Sequence, residues 1–259
     1  MRKSNKILLY RVLLLAIILF FVYTLYRNSS YEGFVETEQP MKVAILFAGR
    51  ITGYLPVLDK LTEIKNRYAP TYYCSLNKPE KDEETANFSK DLEISPENIN
   101  TETTPLPDFL NFVKDYNSNS QHNGYSMFYH QNRAFSLIEK DVVDNKRHLD
   151  CVVYCRADID SPDILQLEMP KPNTIYIPEG FDYGGLNDRM AYGDFNAMKK
   201  YCSLISTLTA AESMNSINPE GILKRYLESQ QLEIARFKYK TCVRKERNIK
   251  YEREEGCEL

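Results

Sequence analysis

The chain has 259 residues, 27% of them charged and 43% hydrophobic, with a formal net charge of −3 at pH 7. This length and balance describe about one globular domain and exclude a disordered polymer. The weak negative charge excludes nucleic acid as the main partner, since phosphate backbones select strongly basic surfaces.

Arg2, Lys3 and Lys6 precede twenty mostly apolar residues, Ile7 to Tyr26, which Arg27 closes. As a helix this run spans about 30 Å, enough for a bilayer core. Arg11 lies one turn from its start, where it can snorkel to the headgroups. No small-x-small cleavage site precedes Arg27, and the apolar run is longer than that of a secretory signal peptide. The expectation is therefore a single-pass type II protein, with the basic end cytoplasmic and the body across the membrane. Residues 1–6 form the cytoplasmic tail, 7–27 the transmembrane signal anchor and 28–41 a polar stem. Sequons at Asn28-Ser-Ser30 and Asn87-Phe-Ser89 suit a Golgi or ER lumen; in a prokaryote the anchor would sit in the inner membrane. The six cysteines show no metal-type spacing. Cys151 and Cys155 lie about 13 Å apart on one strand, too far for a mutual bridge, and read as small buried hydrophobes. A bridge involving Cys242 or Cys257 is open in an oxidising lumen.

Lys42 to Ala48 reads as a buried strand that Gly49-Arg50 ends. Leu55, Leu58, Leu61, Ile64 and Tyr68 have helical spacing, and Thr71 to Cys74 is a second strand, so the start is a β-α-β unit with parallel pairing. Lys78 to Glu102 holds eight acidic and three basic residues and reads as an exposed, mobile insertion, with an acidic functional patch as the alternative. A short helix is expected over Phe109 to Tyr116 and a longer one over Tyr125 to Val143. Further strands are expected at Val152 to Tyr154, Thr174 to Ile177 and Glu233 to Phe237. Helices follow over Phe195 to Thr207 and Glu220 to Gln230, the second started by Asn218 as N-cap and Pro219 at its first position. Residues 42–240 thus form one open α/β domain, mostly parallel, and 241–259 a basic, charged tail. Ligands of such sheets bind beyond the carboxyl ends of the strands.

One such end carries the sharpest motif. The β-prone run Cys151 to Cys155 leads into Arg156-Ala-Asp158-Ile-Asp160. In extended backbone, alternate residues share a side, so Arg156, Asp158 and Asp160 can converge. Two carboxylates can hold a hard divalent ion that also takes diphosphate oxygens, and the arginine can pair with phosphate. A capped strand end before a turn at Ser161-Pro162 explains the same residues without function. A second polar stretch, Gly184-Gly-Leu-Asn-Asp188, also follows a strand, with glycines that allow close backbone approach to a ligand. His122, His130 and His148 form no metal-binding pattern, and His130 reads as a packed histidine.

These motifs together resemble a GT-A type glycosyltransferase, of the polysaccharide-building kind found in bacteria and large DNA viruses. The matching features are Val43 to Arg50, Gln131 on the helix before the key strand, Arg156-x-Asp158-x-Asp160, Ile175 to Pro178, Gly185 to Asp188 with Tyr192-Gly193, and Asn218-Pro-Glu220. The resemblance implies a Rossmann-like GT-A domain and a nucleotide-sugar donor. It also implies a glycan or glycoprotein acceptor and Mn²⁺ or Mg²⁺ at Asp158 and Asp160. Gly49, Arg50, Gln131, Arg156 and Asp158 would bind the donor, and Asp188 or Glu220 would be the catalytic carboxylate that takes the acceptor proton. Turn or helix-dipole roles explain Asp188 and Glu220 equally simply. The rival functions are a non-catalytic nucleotide- or carbohydrate-binding protein on the same fold and a nucleotidyltransferase.

Overall fold

The run Val43 to Gly49 carries no polar side chain, and it forms β1 (Val43–Gly49), buried along its whole length. In a computed structural model the described residues are 23, 40–49, 51, 54–55, 58–77, 82–105, 118–156, 159–161, 163–208, 218–247 and 250–253. The chain separates into two units, Met1–Pro40 and Met41–Leu259, and the elements named here belong to the second. Apart from Tyr23, the expected membrane anchor lies outside the described residues, as does the helix expected over Phe109 to Tyr116. Among the described residues, no helix is long and apolar enough to cross a membrane.

After β1 come α1 (Leu58–Tyr68), β2 (Thr71–Asn77), α2 (Asp82–Asp91), β3 (Ile99–Glu102), α3 (Ser118–Asp144), β4 (Cys151–Cys155) and β5 (Ile159–Asp160). They are followed by β6 (Thr174–Pro178), β7 (Met190–Gly193), α4 (Phe195–Cys202), a 3₁₀ turn at Leu204–Thr207, α5 (Pro219–Ser229), β8 (Glu233–Phe237), β9 (Cys242–Arg247) and β10 (Lys250–Arg253). Seven strands form one sheet in the order β3-β2-β1-β4-β7-β6-β8. Its neighbours pair in parallel except around β7, which runs antiparallel to both β4 and β6. The expected α/β architecture with a mostly parallel sheet is therefore present.

Alternation along the strands divides the core between two faces. Ala44, Leu46, Tyr73, Val152 and Tyr154 pack with Phe128, Phe135 and Ile138 of α3, Tyr201 of α4 and Leu223 of α5. Val43, Ile45, Phe47 and Val153 pack on the other face with Leu61 of α1 and Phe88 and Leu92. Tyr192 belongs to that second face, stacked on Tyr176 at 4.5 Å between ring centroids. It is a core residue.

Two segments differ from the sequence reading. The supposed acidic insertion is folded into the domain: Phe88 and Leu92 are buried and β3 extends the sheet in parallel beside β2. Two apolar side chains, four apart, one in the helix and one just after it, anchor a segment that is otherwise mostly polar, a signal that its low hydrophobicity hid. The supposed tail supplies β9 and β10, which pair antiparallel with each other, and β9 also pairs antiparallel with β5, in a second, three-stranded sheet. The helix expected over Phe195 to Thr207 is interrupted at Ser203, where the 3₁₀ turn begins.

His130 ties α3 to the sheet. Its Nδ1 lies 2.9 Å from the Ser75 hydroxyl and its Nε2 3.0 Å from that of Thr104. Burial pulls the imidazole from its ordinary 6.5 down to about 4. The neutral ring is thus the native form, and the stability it contributes is present above pH 6.5 and lost as pH falls through about 4. Urea unfolding across that window should show this acid limb in the native chain. His130→Leu should flatten it, while lowering stability at pH 7 by about 1–3 kcal/mol as two buried hydroxyls lose a partner.

Candidate functional site

The reversed strand decides what meets at the carboxyl edge of the sheet. β4 ends at Cys155, opposite Met190 at the start of β7, and one step further the Arg156 amide donates to the Arg189 carbonyl at 3.1 Å. Asp188, just before β7, therefore stands beside Arg156, just after β4. Gly49 ends β1 at the same edge, with φ +92°, a left-handed conformation that glycine adopts without strain.

The loop from Gly180 to Asp188 is held at many points. Gly180, Phe181, Tyr183 and Gly184 all have left-handed φ, between +43° and +85°; for the two aromatic residues this is strained backbone. The Asn187 side chain donates to the Gly180 carbonyl and to the Thr241 hydroxyl, both at 2.9 Å, and accepts from the Arg189 amide at 3.0 Å. Arg189 donates to the Thr241 carbonyl at 2.6 Å, and its guanidinium lies 4.1 Å from the Phe181 ring centroid. Asp182 accepts from Arg236 at 2.8 Å.

Glu220 arrives from the start of α5. Asn218 caps that helix, accepting from the Gly221 amide at 2.9 Å, and also donates to the Tyr183 carbonyl at 2.6 Å. The Leu186 amide donates to the Glu220 carbonyl at 3.1 Å. Gly185 faces the same backbone so closely that a Cβ there would lie 2.1 Å from the Glu220 carbonyl carbon and oxygen. Loop and helix are thus pressed backbone to backbone, and only glycine fits between them.

The resulting electrostatics are those of a crowded carboxylate pair. Burial first, and then the neighbouring Asp188 carboxylate, push Glu220 from its ordinary 4.5 up to about 7; Arg189 and Arg156 pull the other way without winning. Asp188 itself is 6% exposed. Beneath it lie Tyr154 of β4 and Tyr201 of α4, whose phenols are raised by burial and sense the Asp188 charge. Gln131 of α3 is 1% exposed and lies beside the Tyr154 hydroxyl, favouring its ionised form, although neither group makes a well-formed hydrogen bond.

Of the residues singled out in the sequence, the structure brings together Arg156, Asp188 and Glu220, with Gln131 nearby and Gly49 on the same edge. Arg50 and Asp158 lie outside the described residues. Asp160 is described through its backbone, which pairs with Cys242 of β9; the turn that follows it is closed by the Asp163 amide donating to Ser161 Oγ at 3.0 Å. Among the described residues, no three His, Cys, Asp or Glu side chains gather as a metal site. The carboxylate oxygens that Asp158 and Asp160 would offer are of the kind that suits Mn²⁺ or Mg²⁺. Sequence reasoning missed Tyr154, Tyr201, Asn187 and Arg189 as parts of the site. A run of three polar residues directly before the apolar strand Met190 to Gly193 was the available signal for the last two.

The profile of the family described as Domain of unknown function (DUF7796) matches residues 110–256. No curated protein matches the chain in sequence. Two solved structures from Streptococcus pneumoniae TIGR4 are similar to it. The glycosyltransferase GlyE aligns at 11% identity with a TM-score of 0.36, and its apo-form at 13% with a TM-score of 0.39. Each alignment covers 76% of this chain, and 46% and 45% of the respective GlyE chains, so the chain spans less than half the length of these structures.

Two outcomes test the geometry. Gly185→Ala meets backbone rather than a movable side chain, and should lower stability by about 1–3 kcal/mol in thermal unfolding. Glu220 has a folded pKa raised above its ordinary value, so its contribution to stability is present below pH 4.5 and lost as pH rises through about 7. The melting temperature of the native chain should therefore fall across that window relative to Glu220→Gln. Parallel curves would remove the buried carboxylate pair.

Proposed function

We propose that this chain, which belongs to the DUF7796 family, is a glycosyltransferase that moves a sugar from a nucleotide-sugar donor to a hydroxyl of a glycan or glycoprotein acceptor. One observation carries the reading: two carboxylates, Asp188 and Glu220, share a part-buried site with Arg156 and Arg189 at the carboxyl edge of the sheet. A glycosyl transfer needs a base for the acceptor and cations for a leaving diphosphate, and this edge offers both.

In this mechanism the acceptor oxygen bonds to the anomeric carbon as the bond from that carbon to the diphosphate oxygen breaks. The electron pair leaves with the nucleoside diphosphate, and the acceptor proton passes to a carboxylate oxygen of Asp188. Glu220, whose carboxyl burial and the neighbouring Asp188 push up to about 7, is the second carboxyl beside the reacting groups and can exchange a proton near neutral pH. The arginine at the end of β4 pairs with the phosphates and offsets charge developing on the leaving group. Asp158 and Asp160 would hold a divalent ion, which when bound would supply positive charge against the leaving diphosphate.

A membrane-anchored enzyme of the secretory lumen fits the apolar run Ile7 to Tyr26 and a disulfide at Cys242, since structural disulfides persist in oxidising compartments.

Calorimetry of the chain with UDP-, GDP- and CMP-sugars, with Mn²⁺ and then with EDTA, should find one nucleotide class bound only when metal is present. Asp160→Asn should abolish that metal-dependent affinity. Asp188→Asn should keep donor binding and reduce transfer by about 10²–10⁴-fold. A folded chain that binds no nucleotide sugar would overturn the proposal in favour of a non-catalytic module.

A further inference from the structure

Five buried side-chain polar atoms in the described residues lack a hydrogen-bond partner. Four of them are in one place: both amide atoms of Gln131 and the hydroxyls of Tyr154 and Tyr201. They come from three different elements, α3, β4 and α4. The Tyr154 and Tyr201 rings lie 5.9 Å apart between centroids, the Gln131 amide is beside the Tyr154 hydroxyl, and both phenols feel the charge of Asp188. Tyr154 and Tyr201 are 0% exposed and Gln131 is 1% exposed.

Such clustering has a physical implication. A buried hydroxyl or amide without a partner destabilises the fold, so these groups are normally paired or replaced by apolar ones. Phenylalanine and leucine would fill the same volume in this core. An amide has two donor hydrogens and two acceptor lone pairs, so even were Gln131 to turn fully to Tyr154, most of the cluster's capacity would remain. The groups offer donors and acceptors together and carry no charge at neutral pH, since burial raises both phenols. That is the chemistry of a site for a neutral, hydroxyl-bearing ligand.

Position narrows the ligand. Tyr154 lies two residues before Arg156, on the same side of extended backbone, and the cluster borders Asp188. With Arg156 on the diphosphate, as the glycosyltransferase reading above requires, the sugar attached to that diphosphate is the nearest hydroxyl-bearing group. We infer that Gln131, Tyr154 and Tyr201 form the subsite that recognises the hydroxyls of the transferred sugar. They act as specificity residues for that sugar. A site that hydrogen-bonds a substrate hydroxyl discriminates strongly against analogues lacking it, because its own polar groups are then left unpaired.

The inference rests on the transferase reading, and the test separates the two. The full chain and the variants Tyr154→Phe, Tyr201→Phe and Gln131→Leu are compared in thermal unfolding. They are also compared in calorimetry with UDP and GDP and with UDP-glucose, UDP-galactose, UDP-N-acetylglucosamine and GDP-mannose, all with Mn²⁺. The expected result is an unchanged or raised melting temperature for the phenylalanine variants and unchanged affinity for the free nucleoside diphosphate. Affinity for the sugar-bearing donor should fall at least about tenfold, the loss of one hydrogen bond to a hydroxyl. A lowered melting temperature would mean that the hydroxyls are satisfied inside the fold, by buried water or by each other, and overturns the inference. Unchanged donor affinity overturns it as well. A native chain that binds the free nucleotides but gains nothing from any sugar overturns the sugar assignment alone. One that binds neither overturns the transferase reading and the assignment with it.

Discussion

The site depends on one strand running the wrong way. Had β7 joined the sheet in parallel like its neighbours, Asn187, Asp188 and Arg189 would have entered at the amino edge, remote from the end of β4. Reversal sets the residues that precede β7 against the residues that follow β4, and the register of Cys155 on Met190 fixes the match to one residue. A slip of one position would put Tyr154 and Ala191 on opposite faces, so that one of them left the core. Because Tyr154 and Ala191 are both fully buried on one face, the hydrophobic core itself enforces the alignment that brings Arg156 to Asp188.

Glu220 shows how packing overrides a local preference. A carboxylate in the first turn of a helix is normally stabilised by the helix dipole, by about 0.3–1 kcal/mol. Here Gly185 lets the loop press against the helix start, and the pressing removes water and adds the charge of Asp188. The combined effect of burial and a like charge outweighs the dipole and both arginines, leaving the group near neutrality. The backbone strain at Phe181 and Tyr183 belongs to the same contest. Left-handed aromatic residues persist only where surrounding contacts over-determine them, and here those contacts are the Arg189 stack and the Asn218 cap.

The sheet, its order of helices and the edge where a ligand would bind were legible because they follow from periodicity and from turn residues. Asn218 and Pro219 announced α5, and Thr174 to Ile177 and Glu233 to Phe237 announced β6 and β8. β7 was not legible as a strand, since four residues, Met190 to Gly193, are too few to display a period. α2 was missed because two buried side chains, Phe88 and Leu92, sit in a segment whose average is strongly polar. Asp188 could be named from its place after a strand and Glu220 from its place at a helix start, but not their mutual approach, which depends on pairing between positions more than thirty residues apart along the chain. Tyr154 falls in a run that reads as a strand, and by burial both it and Tyr201 are core. Only their unpaired hydroxyls mark them as something more, and no pattern of apolar spacing carries that information.

The segment that enters β9 joins the two halves of the candidate site. Thr241 accepts from Arg189 and Asn187, and so grips the loop that ends in Asp188. The next residue, Cys242, pairs through its backbone with Asp160. Two adjacent residues therefore link the loop that carries one carboxylate to the strand that carries the other, and Lys240 adds a bond from its amide to Asp163 at 2.9 Å. A segment in that position needs little freedom of its own. The disulfide at Cys242 supplies the restriction covalently, by limiting what the unfolded chain can explore. The segment that sequence reasoning set aside as a tail is thus a connection on which the relative placement of Asp160 and Asp188 depends.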